Sequence, residues 1–577
     1  MYDTDETMRK LWISLLGDFR VNLGWPSFCE RQRSTLNTSL KSFRNSEWPA
    51  KSQAPVPVFK AVYQLENLFK RYRFKDDAFT DEELRSQFEE KFLLTQRRLS
   101  NPLVVTPVVH RVLQVARRKC REILGSYSEA AHFELCRFGK RACFGVPYRE
   151  SYLDVKMSRL TGSLEHIEWF RKRLLSGDAI LRDCTAKSVY TECSTLVMST
   201  VPKSYKALRG IMPNTVLGSV FTAGLGRYLE HKLCDAGLDI RRLQMKHRRL
   251  AREYSRTREC ATADLSAASD SISSELLRWV LPARWYHVSM LGRISNVTLG
   301  STTVRMQTVI TMGLGHTFPL QTLIFYCLLY AIAELKGVST QKVSVYGDDL
   351  IYPAKMHGVV SHVFERVGLI LNQDKTYVRD NFRESCGGDF YRGCDVRPYQ
   401  PKGRHGNLSR RAYGAFLYRI LNGLRRRWDD EEIKQTVEWL LNELYLTQAE
   451  VFQVPPSFPD SAGVKTQSVT RDARFLAPQW DSQKWVFKYL RAVSKQRFVP
   501  FQMPYYWEAL RPKDASDEEY FASWDDVADT PQVIWRKTRY AKFVMTKNGR
   551  CRKLAPYVPA KGTSELHIQS GVISEWR

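Results

Sequence analysis

Negative charge is what this 577-residue chain has too little of: 61 Asp and Glu stand against 88 Lys and Arg, a formal net charge of +27. Such an excess repels itself in a folded chain unless it meets a polyanion, so nucleic acid is the leading partner class and an acidic membrane surface the second. Histidine is scarce at 11 residues, and the 12 cysteines are scattered with no C-x-x-C pair. A zinc site of the sulfur kind is therefore not expected, and the thiols read as reduced and mostly internal. Glycine (31) and proline (24) are too few for a collagen-like or low-complexity chain. No internal repeat is visible. The start, MYDTDETMRKLW, has no apolar core of signal-peptide length behind it. The longest apolar run, Phe318 to Leu335, is interrupted by Gln321, Thr322 and Glu334 and lacks a positive membrane flank, so it reads as a buried helix. These absences predict a cytoplasmic chain with no membrane partner.

What is present fits a large globular protein: 43% hydrophobic and 26% charged residues, with a length prior of roughly three to four domains. The first hundred residues read as helical, with a turn at Asn45–Pro57 and a basic stretch from Lys70 to Lys75. Residues 101–200 mix a basic helix, Arg111–Leu124, with glycine-punctuated segments. A long basic patch runs from Arg241 to Arg252, short strands alternate with helices over 261–400, and the chain from 401 onwards reads as basic, aromatic and mostly helical.

The sharpest chemical signal is Ser344-Val345-Tyr346-Gly347-Asp348-Asp349-Leu350-Ile351-Tyr352, two β-prone runs around Gly-Asp-Asp. Adjacent carboxylates at a tight turn repel each other, and a divalent cation removes that repulsion. A second carboxylate, Asp264, lies 84 residues earlier at the end of the short apolar run Cys260–Leu265, followed by Ser266–Ser273 with Ser and Asp as helix-capping candidates. A strand-end Asp and a hairpin Asp pair can share two hard cations, which activate an attacking hydroxyl and stabilise a leaving pyrophosphate. The ordinary alternatives are an Asx-rich turn for Asp348 and Asp349 and a helix cap for Asp264. Between them, Gly313-Leu314-Gly315-His316-Thr317 opens the long apolar helix, and its glycines permit close backbone approach to a sugar or phosphate. Upstream, Lys203, Lys206 and Arg209 are three cations at short spacing, suited to clamping a triphosphate or simply to facing solvent. Downstream, Lys375 follows a short strand reading, Leu369–Leu371, and can serve as general acid to pyrophosphate. Phe382–Gly393 reads as a second hairpin with a Gly387-Gly388 turn.

Basic clamp, strand-Asp-helix, glycine loop and helix, YGDD hairpin, Lys and second hairpin follow one another within about 190 residues. That order resembles the palm of viral RNA-dependent RNA polymerases. The segments VPKSYKALRG, ATADLSAASDSIS, MGLGHTFPLQTLIF, YGDD and FRESCGGDFYRG are similar to the replicase β subunit of the positive-strand RNA bacteriophages, the leviviruses, most strongly over residues 200–400.

The resemblance implies an α+β, right-hand polymerase fold. An N-terminal helical region, 1–100, would contribute to a bridge between fingers and thumb. Fingers with the basic clamp would span 101–260, a palm on an antiparallel sheet 261–400, and a thumb with the basic C-terminal region 401–577. It implies catalysis by Asp264, Asp348, Asp349 and Lys375, with Asp264 and Asp348 as the main metal ligands beside Asp349. Lys203, Lys206 and Arg209 would hold the incoming NTP. Asp270, with Gly313, Gly315 and Thr317, would sense the ribose 2′-OH. Many other viral polymerases place four residues between the two acids of the strand-helix motif, whereas five separate Asp264 from Asp270 here, and no Asn begins the glycine-loop helix. Two Mg²⁺ ions, with Mn²⁺ able to substitute, primer-independent initiation on template RNA, and action in the cytoplasm of an infected bacterium are implied too. So are host translation elongation factors Tu and Ts and ribosomal protein S1 as partners. Two competing readings are a reverse transcriptase, which shares a Tyr-x-Asp-Asp hairpin, and a non-catalytic basic RNA-binding protein.

Overall fold

The computed structural model describes residues 1–494 apart from 24–25, 47–52, 78, 140, 148–150, 152, 178–181, 183–184, 187, 471 and 482–483, and beyond 494 the strands Val544–Met545, Cys551–Arg552 and Ser564–Ile573. Part of the turn predicted at Asn45–Pro57 and much of the predicted C-terminal region lie outside the described residues. The chain forms two compact units, one of Asp81–Lys203 with Ala207–Asp395, the other of Met1–Thr80, Ser204–Lys206 and Val396–Arg577.

The unit built mainly from the middle of the chain carries the chemical motifs. Helix α1 (Pro107–Leu124) starts where Thr106 accepts a hydrogen bond from the Val109 N–H and proline occupies the first turn; it stops at Gly125, whose φ is 58°. A hairpin of β1 (Ser199–Ser204) and β2 (Ala207–Ile211) follows, then α2 (Val216–Asp235) and α3 (Ile240–Thr257). Next come β3 (Cys260–Ala263), the short helix α4 (Ser274–Val280), and α5 (Thr317–Leu335). Strands β4 (Ser344–Tyr346) and β5 (Asp349–Pro353) make the first motif hairpin, and β6 (Phe382–Ser385) and β7 (Gly388–Tyr391) the second.

Helix α5 is apolar over most of its surface because most of that surface is covered, leaving a half-exposed edge at Tyr326, Tyr330 and Glu334. Leu320, Leu323, Ile324, Phe325 and Leu328 share one core with Val112, Leu113 and Ala116 of α1 and Phe221 and Leu225 of α2. Among the described residues it is the one helix long and apolar enough to cross a membrane, and most of it is buried within the protein, as the sequence predicts.

The sheet order is β4-β5-β3, antiparallel throughout, with Leu350 opposite Ala263 and Tyr346 opposite Asp349. Alternation gives it two apolar faces. Val345, Leu350, Tyr352, Ala261 and Ala263 join the α5 core, while Cys260 and Ile351 pack with Tyr254 of α3. Helix α3 turns Ile240, Leu243, His247, Ala251 and Tyr254 inward at helical spacing and its Lys and Arg outward.

Two local readings change and a third is narrowed. The second hairpin turns at Cys386-Gly387, with φ of 50° and 69°, because Gly388 is already in β7 opposite Ser385; two left-handed residues in a two-residue loop give the twist that a hairpin needs. The run Leu369–Leu371 is reduced to a single bridge between Leu371 and Leu265, and Lys375 ends the 3-10 turn Gln373–Lys375. The α4 cap is Ser273, which accepts from the Leu276 N–H, while Asp270 belongs to a separate 3-10 turn, Ser269–Ser271.

In the other unit, the helices Thr4–Leu23, Val56–Asn67, Arg410–Arg425 and Lys434–Gln448 share a core containing Trp12, Leu65, Leu417 and Leu440. Asp18, on the first of them, caps the last: its carboxylate oxygens accept from the Gln435 and Thr436 N–H groups at 2.9 and 3.0 Å. Beyond Gln448 the described chain is strand and turn rather than mostly helical. The long strand Lys484–Ser494 pairs antiparallel with Ser564–Ile573. Its Trp485, Phe487 and Tyr489 recur with period two, a strand signal that the aromatic and basic composition conceals.

Candidate active site

The register brings the first two carboxylates together. Ala263, the last residue of β3, pairs with Leu350, so the residue that follows Ala263, Asp264, arrives beside Asp349 and the β4–β5 turn that bears Asp348. That turn is Gly347-Asp348, and Gly347 carries its positive φ of 62°, the conformation that a two-residue hairpin with glycine first requires. A Cβ on Gly347 would lie 2.4 Å from Phe318 Cε2. The Gly347 N–H donates to Thr322 Oγ1 at 2.9 Å, so α5 holds the turn directly.

Four charged groups converge there. Lys375 Nζ donates to Asp264 Oδ2 at 2.7 Å, and Asp264 Oδ1 accepts from the Leu265 N–H. Asp348 keeps solvent access at the turn, yet the protein crowded around its carboxyl, together with the charge of Asp264, raises it above the ordinary carboxylate range against the pull of Lys375 and Lys203. Lys203 is lowered by crowding and by the like charges of Lys375 and Arg209, while Asp264 and Asp348 work the other way. Crowding also acts to lower Lys375, but Asp264, Glu384 and Asp349 outweigh it and keep its ammonium charged. The result is a partly crowded cluster in which Asp264 and Asp348 repel each other and Lys203 and Lys375 offset that charge.

Asp349 lies next to this pair but is anchored differently. Its Oδ2 accepts from the Cys386 N–H at 3.2 Å, and burial, with the charge of Asp348, pushes it up to about 7. Asp270 is also raised to about 7 by burial, and its hydrogen-bonding neighbour is Ser269 rather than the carboxylate pair. Arg209, on β2, lies close enough to act on Lys203. Lys206 is in the β1–β2 turn, which groups with the other unit.

The glycine loop is packed against its own chain. A Cβ at Gly313 would lie 2.1 Å from the Met212 carbonyl oxygen, and one at Gly315 2.6 Å from Ala223 Cα on α2. Gly315 N–H donates to Thr222 Oγ1, and Thr317 Oγ1 donates to the Thr311 carbonyl at 2.7 Å. His316 is fully buried between these elements, with its ring pushed down to about 3 by burial. Sequence reasoning missed Thr322 and Cys386. Cys386 was inside a recognised hairpin segment, but its contact with Asp349 joins residues that the sequence separates.

The donor set fits a hard divalent cation. Asp264 and Asp348 present carboxylate oxygens, and burial together with the charge of Asp264 raises Asp348, a cost that a cation would relieve. Among the described residues no group of three or more His, Cys, Asp or Glu side chains is placed to hold a metal ion, so the pair Asp264 and Asp348 would have to be completed by other ligands. An open pair of carboxylates suits Mg²⁺, which keeps several waters and is completed by substrate phosphates.

Compared with known families, residues 77–553 match the model of the RNA replicase beta-chain. The chain belongs to that family. Similar members are the RNA-directed RNA polymerase subunit beta of Escherichia virus Qbeta, 38% identical over 228 residues, or 39% of this chain and 38% of that one, and its counterpart in Enterobacteria phage SP, 32% identical over 295 residues, half of each chain. The RNA-directed RNA polymerase beta chain of Escherichia phage MS2 is 36% identical over 228 residues, 39% of this chain and 40% of that one. The chain thus spans half or less of the curated replicase beta-chain relatives it matches. The levivirus resemblance carried by the motifs is met by this membership.

Proposed function

We propose that this protein is an RNA-directed RNA polymerase that copies a phage RNA genome from NTPs, beginning without a primer. The observation that carries the reading is the meeting of Asp264 and Asp348, 84 residues apart in sequence, beside Lys203 and Lys375. In this reading Lys203 and Arg209, with Lys206, bind the triphosphate. Lys375, kept charged by its carboxylate neighbours, holds the proton that goes to the departing pyrophosphate. Asp264 and Asp348 would hold two Mg²⁺ ions, which when bound supply activation of the RNA 3′-OH and neutralisation of the phosphates; Asp349 would support them from beside. A right-hand arrangement of fingers, palm and thumb, and work with factors Tu and Ts and protein S1 in the infected bacterium, belong to the same proposal. The test is primer-free copying of a defined RNA by the purified chain with and without host proteins, comparing NTPs with dNTPs. RNA binding with no incorporation under any of these conditions would leave a non-catalytic RNA-binding protein.

Template binding is assigned largely to basic surfaces such as the outer face of α3. That helix carries Arg241, Arg242, Lys246, Arg248, Arg249, Arg252 and Arg256 against a single acid, Glu253, and the Arg241 and Arg242 side chains are 80% and 91% exposed. Affinity for single-stranded RNA is expected to fall steeply with salt, and a triple Arg242→Ala, Lys246→Ala, Arg249→Ala variant to reduce the log–log slope by about 2, at ~0.7 per phosphate contact. Filter binding across a salt series checks this, and an unchanged slope would move the RNA elsewhere.

Asp270, with the Gly313–Thr317 loop, is assigned to the ribose 2′-OH. A deoxy sugar would leave the carboxyl's hydrogen bond unmade in a largely enclosed site, a difference of about 1–3 kcal/mol. Asp270→Ala should therefore reduce the NTP-over-dNTP ratio of kcat/KM about 10- to 100-fold while incorporation continues. An unchanged ratio with a lower melting temperature would make Asp270 purely structural.

A further inference from the structure

The mechanism leaves His247 unused, yet it is the only histidine in α3 and has no solvent exposure. Its ring spans two elements that bear on the site. Nδ1 is 2.9 Å from Ser385 Oγ, at the end of β6, and Nε2 is 2.9 Å from Ser344 Oγ, at the start of β4. Both serines are buried. Burial pushes the imidazole down to about 3, so at neutral pH it is uncharged and has one N–H and one lone pair to offer.

One ordering of protons satisfies the whole group. Ser344 donates to Nε2, Nδ1–H donates to Ser385 Oγ, and the Ser385 hydroxyl donates to Cys386 Sγ at 3.8 Å. Cys386 in turn meets Asp349 through its backbone N–H and through its thiol. The neighbouring Arg248 secures the same turn from α3, donating from Nε to the Cys386 carbonyl at 2.9 Å. The turn needs such anchorage because Cys386, a non-glycine residue, sits at φ 50°, a conformation that costs about 1–2 kcal/mol. Ser344 is two residues before Tyr346, the last residue of β4 ahead of the Gly347-Asp348 turn.

We infer that His247 is a positioning residue: it locks the β4–β5 hairpin against the β6–β7 hairpin, and through Ser385 and Cys386 it fixes the Asp349 carboxyl beside Asp348. This rests on the polymerase reading only for its consequence in turnover, so the experiment has an arm that does not depend on activity.

Amide hydrogen exchange of the full chain is that arm. His247→Gln and the milder Ser385→Ala should each speed exchange at the Cys386 amide at least tenfold, while amides of α5 stay protected. Exchange that is unchanged at Cys386, or raised equally throughout, would overturn the proposal whatever the protein catalyses. In the activity arm, His247→Gln should lower kcat for NTP incorporation about tenfold or more with KM for NTP within about twofold. In an Asp349→Asn background the same substitution should have less than about a threefold effect, since residues acting through one carboxylate are not additive. Equal effects in both backgrounds would mean that His247 only fills space. If the wild-type chain shows no incorporation, the polymerase reading fails and the exchange result alone decides the role of His247.

Discussion

Asp348→Asn is expected to lower NTP incorporation by at least a thousandfold while leaving the protein folded and able to bind RNA. The substitution keeps the shape of the side chain and removes one of the two neighbouring carboxylates. At about 1.4 kcal/mol per tenfold, a thousandfold loss is ~4 kcal/mol of transition-state stabilisation, the scale of losing a metal-ligating charge. Stability should not fall, because crowding and Asp264 already disfavour the Asp348 charge. Asp264→Asn should be equally inactive, with a small loss of stability as well, since it weakens the 2.7 Å pair with the partly exposed Lys375. Single-nucleotide incorporation and the thermal midpoint, measured on the same preparations, check both. Activity within about tenfold of wild type in either variant would remove that residue from the catalytic pair.

Gly347→Ala should be the most damaging single methyl in the hairpin. Alanine at φ 62° costs about 1 kcal/mol or more in backbone strain. The new Cβ would also stand 2.4 Å from Phe318 Cε2, 3.0 Å from Phe318 Cδ2 and 3.1 Å from Gln321 Nε2. Phe318 packs edge-on against Tyr346, with ring centroids 4.7 Å apart, so it has little room to move. A combined loss of about 2–4 kcal/mol in stability is expected, with incorporation down more than a hundredfold because the turn is what aims Asp348. Adding Phe318→Ala should recover the steric part and leave the strain. Denaturant midpoints of the single and double variants separate the two terms. A Gly347→Ala protein within about 1 kcal/mol of wild type would show that the turn relaxes at little cost.

The parts of this site that were legible in the sequence are those whose signal is local. A β-prone run, a glycine that permits φ > 0 and an adjacent carboxylate announce the Gly347-Asp348 turn within nine residues. The run Cys260–Leu265 likewise announces a strand, which the structure ends at Ala263, and Phe318 to Leu335 its buried helix. The contacts that set the positions of these elements were not legible, because they join residues far apart in sequence: Lys375 to Asp264, Gly347 to Thr322, Cys386 to Asp349, His247 to Ser344 and Ser385. Capping preferences named Ser and Asp within Ser266–Ser273 without choosing between them, and Ser273 takes the helix end. Composition misled beyond Gln448, where a period-two aromatic pattern outweighs an otherwise helix-compatible content.

Asp18 capping the helix Lys434–Gln448 has a consequence for the order of synthesis. The unit that holds this contact is made of the chain's first eighty residues, the short stretch Ser204–Lys206 and the stretch from Val396 on, with the whole of the other unit translated between Thr80 and Val396. Trp12 and Leu65 cannot meet Leu417 and Leu440 until the ribosome has moved more than 300 codons past the first helices. At about 5–20 residues per second, that is a wait of roughly 20–70 s. For that interval the nascent N-terminus shows bare apolar helix faces to whatever is near the polysome, so the yield of folded protein depends on chaperone supply and message crowding as well as on the final stability of either unit.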